Sequence, residues 1–106
     1  MENNSAKSLP IGTVVTLKGS NQNLVIISLL PVAEIKGEKG YFEFGAATLP
    51  TGLASEDLIF FNRENIENII YLGYVDARFQ EFMGHYDEII SKVEYKRMAI
   101  NGILED

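Results

Sequence analysis

Cysteine and tryptophan are absent from this 106-residue chain, histidine occurs once and proline only three times. Without cysteine there is no disulfide framework and no thiolate metal site, which fits a reducing, cytoplasmic setting. A lone imidazole, His85, comes with no motif that would give it a nucleophile and an orienting acid. Long apolar runs are also lacking. The longest, Leu24 to Ala33, is interrupted by Ser28 and Pro31 and falls far short of the roughly 20 residues that span a bilayer. Residues 1–8 contain no apolar stretch, so no secretory signal is expected and they read as a frayed tail.

What remains is ordinary globular material, 46% apolar and 23% charged, enough for one domain over residues 9–106. The net charge of −6 is unevenly placed. Residues 1–52 hold four lysines and four glutamates and sum to zero, whereas residues 53–106 set eleven acids against five bases. An acidic surface repels phosphate, so neither nucleic acid nor a membrane is an expected partner. A solvated acidic face accounts for the asymmetry, and complementarity to a basic protein is the functional alternative.

Pro10 and Gly12 set a turn, and Thr13–Lys18 alternates as a half-buried strand requires. Leu24–Leu30 is apolar on both faces and reads as a central strand that Pro31 ends. Glu34–Gly40 reads as a polar loop, Tyr41–Phe44 as a strand with Glu43 outward, and Ala46–Glu56 as a long loop. Leu58–Phe61 is a short strand and Asn62 caps one helical turn; Ile66–Tyr74 is open between a helix, which the spacing of Ile66, Ile69 and Ile70 allows, and a strand, which its density of β-branched and aromatic residues favours. From Asp76 the period becomes helical: Phe79, Phe82, Met83, Tyr86, Ile90, Val93 and Ile100 share one face. Asp76 caps this helix, Asn101-Gly102 stops it, and Gly84 is where it can bend. The expected fold is α+β. A β-meander of about five antiparallel strands over 9–75, with an SH3-like barrel as its curled form, precedes a long helix over 76–101.

No catalytic, cofactor-binding or metal-ligating residue is assigned from these patterns. Asp87 and Glu88 are adjacent and splay apart on a helix, and the aromatic residues sit in the acidic half, where base stacking has no basic groove to help it. A polar pocket lined by Tyr41, Glu43 or His85 is the feature that would speak for an enzyme. A helix over 76–101 would run about 39 Å, longer than a sheet of short strands, so its distal apolar residues need a cover. Tyr86, Ile90, Val93 and Ile100 are therefore the expected partner-binding residues, with Phe79, Phe82 and Met83 buried within the domain.

The ordered set Leu9-Pro10-Ile11-Gly12-Thr13-Val14-Val15 with Leu17-Lys18-Gly19, Leu24-Val25-Ile26-Ile27, Pro31, Tyr41-Phe42-Glu43-Phe44, Pro50-Thr51-Gly52-Leu53, Phe60-Phe61-Asn62, Ile66 and Gly73-Tyr74-Val75-Asp76 with Phe79 resembles domain of unknown function 4176, a family of small proteins of Gram-positive bacteria. It spans roughly residues 9–82, with Ser28 in place of a glycine and Glu43 in place of an aspartate. The resemblance implies a cytoplasmic accessory of LXG-type toxins in type VII secretion, acting as chaperone or targeting adaptor on the toxin's helical region. It carries over no catalytic residue and no cofactor. An immunity protein neutralising a cognate toxin is the alternative, and a second copy of this chain is the alternative occupant of the apolar stripe. Type VII substrates carry a Trp-x-Gly turn and a Tyr-x-x-x-Asp/Glu signal. Tryptophan is absent, and Gly45, Val75, Arg78, Ile90 and Ala99 stand four residues after the five tyrosines, so the chain reads as an accessory and not as cargo.

Overall fold

The protein is seen here as a computed structural model that describes residues 8–53 and 58–99. The strands are β1 (Val14–Leu17), β2 (Leu24–Leu29), β3 (Val32–Ile35), β4 (Glu38–Tyr41), β5 (Phe44–Thr48), β6 (Ile59–Phe61) and β7 (Ile66–Tyr71). A 3-10 turn (Arg63–Asn65) precedes β7, and two short helices, α1 (Ala77–Gly84) and α2 (Tyr86–Ser91), follow it. Five strands form one antiparallel sheet in the order β6-β5-β2-β1-β7, and β3 with β4 forms a second, two-stranded sheet.

The apolar β2 takes the central place expected of it, with β1 and β5 on its flanks. Its Leu24 and Ile26 point into a core shared with Leu9, Val15, Phe44, Ala46 and Phe61. Phe44 and Phe61 are cross-strand partners with ring centroids 5.5 Å apart, and burial of each ring contributes about 2–3 kcal/mol. A smaller core of Ala33, Phe42 and Met98 lies under the β3–β4 hairpin, where Phe42 stacks on Phe60 at 5.5 Å.

Several expectations are corrected. The sheet is no simple meander: after β6 the chain crosses from one edge to the other, so that β7 pairs with β1, the earliest of the described strands. The edges β6 and β7 do not join, and no barrel closes. Glu34–Gly40 is not a loop but most of a hairpin, because Lys36 and Gly37 take φ of 55° and 83° and make the two-residue turn that suits twisted strands. The strand β5 runs on to Thr48, so the following loop is shorter than the sequence suggests.

The long C-terminal helix is absent. Asp76 does cap its start, with Oδ1 accepting the Phe79 N–H at 2.8 Å, but α1 ends at Gly84 and α2 at Ser91. Residues Lys96–Met98 then run extended beside Tyr41, whose N–H donates to the Lys96 carbonyl at 2.9 Å while its own carbonyl accepts from Met98 N–H at 2.8 Å. Lys96-Arg97-Met98-Ala99 are good helix formers, yet a fully buried Met98 and two backbone bonds outweigh that weak preference. A straight 26-residue helix of about 39 Å would also have exceeded the molecule's 34 Å long axis.

Candidate functional site

The turn from β4 into β5 builds the most chemically detailed surface of the protein. Phe42 and Phe44 are buried in different cores, the chain bends at Glu43 between β4 and β5, and the Glu43 carboxylate turns inward where a strand over Tyr41–Phe44 would have faced it outward. The Glu43 N–H donates to Asn62 Oδ1 at 2.9 Å, and its Oε1 accepts the Arg63 N–H at 2.7 Å. Its Oε2 lies 3.5 Å from Arg97 Nε, and the same guanidinium also pairs with Glu64. Asn62, fully buried, is held in turn by donating from Nδ2 to the Met98 carbonyl at 2.7 Å and from its own N–H to Asn65 Oδ1 at 2.8 Å. One asparagine thus ties the β4–β5 bend, the 3-10 turn and the C-terminal segment together.

Beside this network lies a cleft of about 360 Å³ lined by Tyr41, Glu43, Arg63, Tyr86, Asp87 and Ile90. Tyr86 is only 5% exposed, and its Oη has no hydrogen-bond partner among the described residues. A buried hydroxyl left unpaired costs about 1–3 kcal/mol, so the free protein carries a polar group that an incoming molecule can satisfy. Phe82 meets the Tyr86 ring edge-on at 5.6 Å and fixes its orientation. Burial first, and then the neighbouring Glu43 carboxylate, push the Tyr86 phenol well above the usual tyrosine range.

That shift predicts an alkaline effect of definite sign. The unfolded chain ionises Tyr86 near its ordinary value of about 10, and the folded chain holds the proton to higher pH. Stability is therefore complete below that pH and falls as pH rises above it. Tyr86→Phe should lose less stability than wild type between about pH 9 and about pH 11, measured by denaturant midpoints. Equal losses in the two proteins would show that Tyr86 does not contribute.

Of the expected partner-binding residues, Tyr86 and Ile90 come together in this cleft, Ile90 half-buried. Val93 is half-buried just beyond α2, and Ile100 lies outside the described residues. Phe79, Phe82 and Met83, expected to be buried within the domain, are half-buried. Tyr41 and Glu43 do share a pocket, but His85 is apart from it, exposed and 3.4 Å from Glu88 through Nδ1. Among the described residues no three His, Cys, Asp or Glu side chains gather to hold a metal, and no helix is long and apolar enough to cross a membrane. Arg63 and Arg97 were not foreseen. Their contacts depend on Glu43 turning inward, which no local pattern signals.

The sequence profile described as domain of unknown function 4176 matches residues 8–82. The chain belongs to that family. The match covers the five-stranded sheet, the hairpin and most of α1, and ends before Tyr86, Asp87 and Ile90 of the cleft. Comparison with curated proteins and with solved structures returns no match.

Proposed function

We propose that this protein is a non-enzymatic, cytoplasmic accessory factor that binds another protein through the Tyr41–Tyr86 cleft. The observation that carries this reading is the buried Tyr86 hydroxyl without a partner, on an apolar wall completed by Tyr41 and Ile90. Such a site suits a side chain with an apolar stem and a hydrogen-bonding tip, presented by a helix of the partner. Glu43 and Arg97 are occupied with each other and with their neighbours, which favours a recognition role over chemistry at the carboxylate. The family resemblance supplies the partner class: the helical region of an LXG-type toxin of type VII secretion, with this protein as chaperone or targeting adaptor.

A second reading, an immunity protein, draws on the eleven acids against five bases in residues 53–106, which would complement a basic toxic domain. Co-purification with separate toxin fragments decides between them. An adaptor retains the N-terminal LXG part, and an immunity protein retains the C-terminal toxic part.

The cleft itself is tested by two variants. Tyr86→Phe removes the unpaired hydroxyl, so it should stabilise the free protein by about 1 kcal/mol and yet weaken partner binding by about tenfold. Ile90→Asp with Val93→Asp should abolish binding while leaving a cooperative melt. Unchanged affinity in Tyr86→Phe would overturn the role given to the cleft.

A further inference from the structure

β7 ends the five-stranded sheet, with β1 as its only neighbour among the described strands. Ile69, Ile70, Tyr71, Leu72, Tyr74 and Val75 are each 40–78% exposed, and Ile11 is exposed next to Gly73 at the same edge. From Ile66 to Val75 there is no lysine, arginine or proline, and Glu67 is the only charge. Edge strands are usually protected by the residues missing here. The register between β1 and β7 does shift twice, as Val14 and Val15 face Tyr71 and Ile69, and Thr16 and Leu17 face Asn68 and Ile66. The bulges at Ile70 and Glu67 bend the strand, which disfavours open-ended ladder growth and leaves side-chain packing as the mode of contact.

From this edge we infer that the protein is a two-fold dimer, with the 69–75 strip of one copy packed against the same strip of another. The size fits. Six large apolar side chains about half exposed present on the order of 500–600 Å², most of the roughly 800 Å² per partner in a standard interface. The charge fits a like partner better than a basic one, because the strip itself offers no acid to a cation beyond Glu67. In an antiparallel two-fold arrangement centred on Leu72, Ile69 meets Val75 and Ile70 meets Tyr74 of the second copy, and each Glu67 lies outside the paired strip. Isologous use of one edge closes the assembly at two, and no cleft-lining residue belongs to the strip.

The net charge of −6 on each copy opposes association, so salt should strengthen it. Binding of a basic partner to an acidic face would weaken with salt instead. Sedimentation of the full chain at tens of micromolar should give twice the chain's mass, with a dissociation constant that falls several-fold between about 50 mM and about 500 mM salt. Ile70→Lys with Leu72→Lys, at two exposed positions, should be monomeric and still melt cooperatively, at a midpoint lowered only by the lost association. Tyr74→Ser, at the most exposed residue of the strip, should weaken the dimer at least several-fold and decides the matter if the lysine pair does not fold. A wild-type chain that stays monomeric at high salt, a dimer indifferent to these changes, or masses that grow past two copies would each overturn the inference.

Discussion

Asn62→Ala should lower the stability of this protein by about 3 kcal/mol, and the melting midpoint by about 10–20 °C. The truncation leaves two backbone groups without their partner, the part-buried Glu43 N–H and the buried Met98 carbonyl. Each such group costs about 1–3 kcal/mol when orphaned. The damage should extend beyond the sum of two bonds. Met98 is buried only because residues 96–98 are drawn against Tyr41, and Asn62 anchors one end of that contact. Amide exchange of Met98 should therefore accelerate more than that of β2. Partner binding at the Tyr41–Tyr86 cleft should weaken in the same variant, since the Glu43 bend forms one of its walls. A loss below about 1 kcal/mol would mean that the network does not hold these segments together.

The same residue shows where the reading of the sequence stops. Asn62 was legible as the cap of a helical turn, and the 3-10 turn is there, but its amide spends both its functions on residues 19 and 36 positions away in the chain. Contacts of that separation leave no local trace. The strands β1, β2, β6 and β7 were legible because alternation and β-branched density are local properties, and the Asp76 cap likewise. The β3–β4 hairpin was hidden by the polarity of Glu34, Lys36, Glu38 and Lys39, which face solvent from both sides of an exposed ribbon. The helix was overextended for the opposite reason. Its periodicity passes through Val93 to Ile100, but a break at Gly84-His85 and the burial of Met98 against Phe42 and Ala33 send the chain elsewhere. Of the candidate site, sequence spacing delivered Tyr86 and Ile90, while the partners they face depend on the inward turn of Glu43.

Gly73→Ala should destabilise the protein by about 3 kcal/mol, although its backbone is not in the left-handed region that only glycine favours. The cause is a close approach of two chain segments. A methyl group at this position would overlap the Ile11 carbonyl oxygen and sit 2.7 Å from the Thr13 nitrogen and 2.8 Å from the Gly12 carbonyl carbon. All three are backbone atoms, so no rotamer change can relieve the overlap and the two segments must separate. Separation breaks the bond from Gly73 N–H to Thr13 Oγ1, 3.0 Å long and made to a fully buried threonine. It also strains the turn whose Gly12 N–H and Thr13 carbonyl bond to Ile26 in the central strand, each at 2.8 Å. Gly84→Ala is the matched control: nothing lies within 4 Å of the added carbon, and alanine there should be neutral or stabilising by up to about 1 kcal/mol. Unfolding free energies of the two variants from denaturant titration should therefore differ by about 3–4 kcal/mol in the stated direction. Near-equal values would mean that the crossing of residues 11–13 and 73 is looser than these distances require. Because Gly73 also fixes where Leu72 and Tyr74 emerge at the sheet edge, Gly73→Ala should weaken self-association even at temperatures where the variant remains folded.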